Sequence, residues 1–180
     1  MLFQVIMAGF GGQGIMYIGD LFAQACLDEG RHAAFMPSYG AAVRGGTANC
    51  VVTLSDTEIG SPLMDCPDAA IVMNTPSFLQ FRSSVKKGGI IIANASMIDR
   101  ELPGGGGDAR VVWVPATEIS REVTGDAKSA NMAALGAFLG AEPVVGAASI
   151  EALVTGGGGN RDAAVKNLAV FRAGLAQAFV

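Results

Sequence analysis

A glycine-rich turn stands near the start of the chain, where Gly9-Phe-Gly11-Gly12-Gln13-Gly14 follows an apolar run and precedes a helical pattern. The spacing satisfies G-x-G-x-x-G between a strand and a helix. Glycines allow a tight turn, and they let backbone N–H groups at a helix N-terminus approach an anion closely. The turn therefore predicts either an anion site or a tight connection that packs against a neighbouring chain.

A dinucleotide site needs one more part, an acidic residue that ends the second strand and binds the ribose hydroxyls. The second predicted strand of this chain ends in Met36-Pro37-Ser38, and Asp28 and Glu29 precede that strand. An arginine for a 2′-phosphate is also missing at the strand end. The sequence therefore argues against NAD or NADP, and a free-standing nucleotide-binding module stays only as the alternative.

A second loop, from Pro37 to Gly46, is rich in Ser, Tyr, Gly and Arg. It is expected at the carboxyl edge of the sheet, where ligands and partners of open α/β folds gather. Arg44 has a guanidinium that can bind a phosphate or carboxylate through two hydrogen bonds, and the competing interpretation is a solvated loop arginine. The adjacent Gly45-Gly46 favours close approach by another backbone.

Catalytic and metal-binding patterns are missing from the sequence. Ser38 lacks a nucleophile elbow, and His32 is the only histidine, so we predict that it is a strand-end residue without a role. Three cysteines, which are Cys26, Cys50 and Cys66, are distant from one another. Their number and spacing fit neither a disulfide framework nor a metal or iron–sulfur site, so we predict mostly buried, reduced thiols.

Short apolar runs predict strands, and apolar residues at helical spacing predict helices. Strands are predicted over 5–8, 32–36, 47–54, 69–73, 90–93 and 110–114. Helices are predicted over 15–27, 77–85, 118–123, 131–139, 149–153 and 162–179, with Gly30 ending the first and with Asn131 and Ser149 as N-caps. The glycine runs 104–107 and 156–159 are predicted to be flexible surface loops.

This alternation predicts a single Rossmann-like α/β domain over residues 1–180, with a mostly parallel sheet and C-terminal helices. A turn at 55–58, with Ile59 beginning a return arm, predicts one antiparallel hairpin over 47–59.

The composition narrows the classes of partner. Charged residues make up 16% of the 180 residues, below the roughly 25% of an ordinary soluble domain, which suggests that other subunits cover part of the surface. The net charge is −4 and no basic run occurs, so nucleic acid is not expected. Apolar runs too short for a bilayer and an N-terminus without signal-peptide features predict a cytoplasmic protein without membrane contact.

Several segments together resemble the gamma subunits of 2-oxoacid:ferredoxin oxidoreductases. They are G-F-G-G-Q-G-I at 9–15, P-S-Y-G-x-x-x-R-G-G-T-A-N-C at 37–50, S-D-x-x-I-G-S-P at 55–62 and N-M-x-A-L-G at 131–136. Asn167-Leu-x-x-Phe171-x-x-Gly174 fits as well, so the resemblance spans nearly the whole chain. The pattern looks most like 2-oxoglutarate or branched-chain 2-oxoacid enzymes, and the beta chain of indolepyruvate oxidoreductase is the alternative within the family.

The resemblance implies an accessory, non-catalytic gamma subunit, inactive alone, in a complex that oxidatively decarboxylates a 2-oxoacid, foremost 2-oxoglutarate, to acyl-coenzyme A and reduces ferredoxin. It implies alpha, beta and delta partners or fused equivalents in a heterotetramer, with ferredoxin reached through the complex. Thiamine diphosphate, Mg²⁺ and iron–sulfur clusters are expected in the other chains. This chain alone is expected to bind no cofactor, with coenzyme A as the co-substrate of the complex.

By the same resemblance, two loops face the neighbouring subunits or the coenzyme A channel. The first supplies Gly9, Gly11, Gly12 and Gly14, and the second supplies Ser38, Tyr39, Arg44, Gly45 and Gly46. A purely structural domain that meets no ligand is the other interpretation. The chain departs from its relatives at Gly156 to Gly159, where they continue a charged helical segment.

Overall fold

The computed structural model describes residues 1–39, 47–61, 66–102, 108–157 and 160–177. The described strands are β1 (Leu2–Phe10), β2 (His32–Tyr39), β3 (Thr47–Ser55), β4 (Ala69–Val72), β5 (Ile90–Asn94) and β6 (Arg110–Val114). The described helices are α1 (Ile15–Asp28), α2 (Thr75–Phe81), α3 (Ala116–Thr124), α4 (Ala130–Ala141), α5 (Ala147–Gly156) and α6 (Arg161–Leu175). The predicted α/β class is confirmed.

The strands form one mixed sheet in the order β2-β3-β1-β4-β5-β6. β1, β4, β5 and β6 pair in parallel, whereas β3 pairs antiparallel with both β2 and β1. The predicted hairpin over 47–59 is therefore wrong, because β3 finds its partners in two preceding strands and Ile59 belongs to no strand. One antiparallel strand in a mostly parallel sheet remains, as the sequence predicted.

The strand β2 continues three residues beyond its predicted end. Pro37, Ser38 and Tyr39 pair with Cys50, Asn49 and Ala48 of β3, although the sequence places them in a loop. Pro37 is tolerated because β2 is an edge strand, where a missing N–H need not interrupt a ladder.

Alternate residues of β1 enter two cores on opposite faces of the sheet. Val5 and Met7 pack with α1 and the C-terminal helices, whereas Ile6 and Ala8 pack with Phe78 of α2. This division follows from the two-residue period of a strand, which sends successive side chains to opposite faces. The core under α1 is the larger of the two.

The helix α4 is enclosed by the rest of the domain, since every residue from Ala130 to Leu139 is buried. It crosses α6 closely at two glycines. A Cβ atom on Gly136 would lie 2.1 Å from the Phe171 carbonyl oxygen, and one on Gly174 would lie 2.1 Å from the Ala133 carbonyl oxygen. Both positions thus require glycine for steric reasons.

Three local predictions in the C-terminal helices are wrong. The N-cap of α4 is Ser129, and Asn131 lies inside the helix. The helix α5 begins two residues before Ser149, which instead donates a hydrogen bond to Glu29. Gly156 is the last residue of α5 rather than part of a loop, while 104–107 and 158–159 lie outside the described residues.

The predicted bounds of the other helices differ by a few residues. α2 begins at Thr75 with Asn74 as its N-cap, and α6 follows the N-cap Asn160. Gly30 follows the end of α1 with a φ of 76°, as predicted for a residue at a helix C-terminus. None of the helices within the described ranges is both long enough and apolar enough to cross a bilayer.

Candidate functional site at the carboxyl edge

The carboxyl ends of β1, β4, β5 and β6 meet at one edge of the sheet because these strands run in parallel. From β1 the chain passes through α1 to β2 on one side, and from β4 it passes through α2 to β5 on the other. The two strands that diverge in this way, β1 and β4, are neighbours in the sheet. Open α/β sheets bind ligands in the crevice at such a switch point.

The glycine turn connects β1 to α1 at this edge. Gly12 and Gly14 have φ angles of 94° and 71°, a left-handed conformation that favours glycine. A Cβ atom on Gly9 would lie 2.6 Å from Gln13 Oε1, and one on Gly14 would lie 2.4 Å from Asn131 Nδ2. These glycines therefore leave room for side chains of the same domain, which accounts for the tight turn without a ligand.

Two side-chain amides bridge the crevice between β1 and β4. Asn74 Nδ2 donates to Gln13 Oε1 over 3.0 Å, and the Phe10 N–H donates to the same oxygen over 2.7 Å. Asn74 Oδ1 accepts the Ser77 N–H at 2.9 Å and so caps α2. The bridge links the turn after β1 to the turn after β4.

Further neutral polar groups connect the remaining turns of the edge. Asn94, at the end of β5, donates to Thr117 Oγ1 over 3.1 Å, and the Thr117 N–H donates to Ser96 Oγ. Asn131 Nδ2 donates to the Gly14 carbonyl oxygen over 3.0 Å, which joins α4 to the glycine turn. This hydrogen-bonded set contains no ionisable side chain, so its geometry does not depend on pH in the ordinary range.

The second predicted loop begins at the same edge. Gly9 pairs with Ala48, and Ala48 pairs with Tyr39, so the end of β2 lies two strands from the glycine turn. Ser38 is exposed one residue before that end. Arg44, Gly45 and Gly46 lie outside the described residues, and their role stays a prediction.

The cysteines do not form a reactive site. Cys26 and Cys50 are buried, and Cys66 is exposed. Burial raises the pKa of the Cys50 thiol to about 12. Burial also raises the pKa of Cys26, and this effect outweighs the attraction of the nearby Arg31 guanidinium. No three His, Cys, Asp or Glu side chains in the described ranges come together as metal ligands would.

A surface groove of about 470 Å³ lies between α1, α5 and α6, away from the residues that the sequence predicted as sites. Tyr17, Asp20, Asn160 and Asn167 contribute to its lining. Its two asparagines already serve the fold, because Asn160 caps α6 and Asn167 accepts a hydrogen bond from Ser129. These two side chains are therefore engaged within the domain.

Sequence reasoning assigned no role to Gln13, Asn74 and Asn94. Asn74 carries a signal, since a polar residue between a buried strand and a Thr-Pro pair is typical of an N-cap. Gln13 stands within the glycine motif, but its contact with Asn74 spans 61 positions, and no local pattern predicts it.

Comparisons with known proteins agree on one protein family. Residues 4–177 match the model of the pyruvate ferredoxin/flavodoxin oxidoreductase family. Ketoisovalerate oxidoreductase subunit VorA of Methanothermobacter thermautotrophicus is 41% identical over 136 residues, which is 76% of this chain and 28% of VorA. The chain thus spans under a third of the length of that relative.

A second relative is matched almost end to end. The 2-oxoglutarate synthase subunit KorC of the same organism is 30% identical over 177 residues, which cover 95% of this chain and 92% of KorC. The structure is also similar to 2-oxoglutarate:ferredoxin oxidoreductase from Magnetococcus marinus, solved with 2-oxoglutarate, coenzyme A and succinyl-CoA bound. That likeness has a TM-score of 0.86 at 24% identity, over 97% of this chain and 30% of the other.

Proposed function

Because this chain belongs to the pyruvate ferredoxin/flavodoxin oxidoreductase family, we propose that it is the gamma subunit of a 2-oxoacid:ferredoxin oxidoreductase. The observation that carries the proposal is the nearly end-to-end match to KorC, which is a subunit of 2-oxoglutarate synthase. The match to only 28% of VorA fits the same domain in a longer chain.

The proposed complex oxidatively decarboxylates a 2-oxoacid, transfers the acyl group to coenzyme A and passes electrons to ferredoxin. Its partners are alpha, beta and delta subunits or their fused equivalents, in a cytoplasmic heterotetramer. Thiamine diphosphate, Mg²⁺ and iron–sulfur clusters belong to the partners. This chain supplies a single gamma domain over residues 1–180 and no catalytic group of its own.

The carboxyl edge is the surface that we assign to this role. It carries Gly9, Gly11, Gly12 and Gly14 in the first turn, and Ser38 and Tyr39 at the end of β2. Arg44, Gly45 and Gly46 complete the proposed surface. We assign it to the subunit interface and the coenzyme A channel, on the support of the hydrogen-bonded amides that hold its turns together.

Co-purification tests the proposal. The chain is tagged in its native host and isolated under anoxic conditions, and its partners are identified by mass spectrometry. We expect thiamine-binding subunits to accompany it, and we expect the chain alone to be inactive with every 2-oxoacid. A stable chain isolated without partners would contradict the assignment.

The substrate is tested on the assembled complex with a panel of 2-oxoacids. Since the names of the relatives divide between ketoisovalerate and 2-oxoglutarate, the panel includes both acids and pyruvate. We propose 2-oxoglutarate first, on the basis of the Asn-Cys segment at 49–50 and the Gly-Ser-Pro segment at 60–62. A higher kcat/KM for ketoisovalerate would assign the branched-chain activity instead.

A free-standing nucleotide-binding module is the alternative that the glycine motif favours. A ligand that binds only the folded state raises its stability, so NAD, NADP or FAD would raise the Tm of the isolated chain. We expect no rise, because β2 ends in Pro37-Ser38-Tyr39 without a carboxylate for the ribose.

A further inference from the structure

The amide of Gln13 is held in one orientation at the crevice between β1 and β4. Its Oε1 accepts two hydrogen bonds, from the Phe10 N–H and from Asn74 Nδ2. The first donor is at the end of β1 and the second lies shortly after β4. The amide oxygen of Gln13 is therefore directed toward the ends of these two strands.

The orientation of Asn74 is determined from its other side. Its Oδ1 accepts the Ser77 N–H, the capping bond of α2, and the residue is 1% exposed. In a side-chain amide the oxygen accepts and the nitrogen donates, on opposite branches of one plane. The oxygen that faces α2 therefore leaves Nδ2 to donate to Gln13 Oε1.

The consequence concerns the second branch of the Gln13 amide. Because Oε1 accepts two hydrogen bonds within the domain, we expect Nε2 and its two N–H donors to face the outside of the crevice. Gln13 is half-buried, and none of the residues that the structure describes accepts a hydrogen bond from Nε2. The crevice thus presents a neutral donor on a side chain that two hydrogen bonds restrain.

We propose that Gln13 Nε2 is a ligand contact of this domain and that Asn74 is the positioning residue that keeps it turned outward. The inference rests on the proposed function. The ligand group is an oxygen acceptor, which is a carbonyl, carboxylate or phosphate oxygen. Coenzyme A and the 2-oxoacid both carry such oxygens, and the experiment distinguishes these two sources.

The variant Gln13→Glu isolates the outward branch. A glutamate oxygen still accepts from the Phe10 N–H and from Asn74 Nδ2, so the bonds within the domain persist. The outward donor is replaced by an acceptor with negative charge. In the assembled complex we expect the KM for one of the two substrates to rise about tenfold, the equivalent of one lost hydrogen bond to a charged group, at unchanged kcat.

A rise in the KM for coenzyme A alone assigns the acceptor to coenzyme A, and a rise for the 2-oxoacid alone assigns it to that acid. Gln24→Glu is the matched control, since it makes the same charge change on α1, where the amide bonds only Asp28. The control is expected to leave both KM values unchanged.

Asn74→Asp tests the positioning role. The aspartate keeps the acceptor for the Ser77 N–H, so α2 stays capped, but it has no donor for Gln13. The Gln13 amide then turns Nε2 toward the carboxylate and away from the ligand. We expect the same KM to rise while the Tm stays within a few degrees.

Three results would overturn the inference. Unchanged KM values in an assembled Gln13→Glu complex would exclude the contact and leave the proposed function intact. Weaker assembly with unchanged kinetic constants would make Gln13 a subunit contact instead. Failure of the unmodified chain to assemble with any partner would reject the proposed function and this inference with it.

Discussion

Two glycines of the glycine turn are required for different structural reasons. Gly12 adopts a left-handed conformation in open space, whereas Gly14 combines that conformation with a close contact to Asn131. A motif read only as G-x-G-x-x-G treats these positions as equivalent. The neighbouring side chains separate them, because only one of the two has another residue where its Cβ would stand.

Gly14→Ala is expected to lower the free energy of unfolding by about 2 kcal/mol or more, from the left-handed backbone and the displaced amide together. Gly12→Ala is the matched control and is expected to cost about 1 kcal/mol, from the backbone alone. Chemical denaturation of both variants measures the difference. Equal losses would show that Asn131 yields to the new methyl group without cost.

The three cysteines are expected to differ in reactivity because two are buried and one is exposed. The thiolate is the reactive form, and the pKa of about 12 at Cys50 leaves almost none of it near neutral pH. We expect iodoacetamide at pH 8 to alkylate Cys66 in the folded protein and to leave Cys26 and Cys50 unmodified, as peptide mass spectrometry would report. Guanidinium should expose all three, and native labelling of Cys50 would contradict its burial.

Polar side-chain contacts that no local sequence pattern predicts connect α5 to its neighbours. Glu29, just after α1, accepts hydrogen bonds from the Gly146 N–H at 2.6 Å and from Ser149 Oγ at 2.9 Å, at the start of α5. Arg172 of α6 binds Glu151 of α5 through two nitrogens. α5 buries Ile150 and Val154 in the core, and these polar contacts add to that attachment.

The variant Glu29→Gln tests the contact of Glu29 with the start of α5 through the pH dependence of stability. Burial disfavours the charged carboxylate, but the hydrogen bonds from Gly146, Ser149 and Arg31 outweigh it and lower the pKa of Glu29 below its ordinary value. A lowered folded-state pKa contributes stability above the unfolded value, and this contribution is lost as the pH falls through the folded value.

The wild type is therefore expected to exceed Glu29→Gln by about 0.5–1 kcal/mol at pH 7, reduced by salt because the side chain is partly exposed. The difference should disappear in acid below the folded-state pKa. Denaturation curves from pH 7 to pH 2 measure it, and a difference that stays constant with pH would exclude the charge as its source.

The crossing of α4 and α6 depends on two glycines that face opposite backbones. Gly136→Ala and Gly174→Ala are each expected to cost about 3 kcal/mol, because the contacting atoms are main-chain carbonyls that cannot rotate away. The double variant should cost less than the sum, since one separation of the helices relieves both clashes. Gly156→Ala, in open space at the end of α5, is the control and should be nearly neutral.

The whole molecule is built around α4, a helix without an exposed face. Its residues from Ala130 to Leu139 carry no charge and lie between the sheet and the other C-terminal helices. The low charge content of the chain is thus explained in part by its own core. The uncharged residues of α4 are covered by the domain itself and do not require coverage by partner subunits.

Hydrogen exchange should reflect this arrangement. We expect the slowest amide exchange in α4 and β4, whose residues are almost entirely buried, and faster exchange in α2 and α5. Mass spectrometry of peptides from the folded protein measures the rates. Rapid exchange across α4 would contradict its central position.

Local patterns in the sequence predicted the order and type of nearly all the described elements. Arg110–Val114 was predicted with its observed bounds, and α1 differed by one residue. Apolar period, caps and turns act over a few neighbouring residues, so they can be read locally. The same local motifs carried the family resemblance, which the comparisons confirmed.

Contacts between distant residues could be identified only in the folded chain. β3 lies between β2 and β1, Asn74 reaches Gln13 across 61 positions, and Asn131 reaches Gly14 across 117. Strand pairing and side-chain hydrogen bonds are chosen by the packed core as a whole, since many pairings satisfy the same local pattern. For this reason the sequence located the glycine turn, while the amide bridge at the carboxyl edge became visible only in the folded chain.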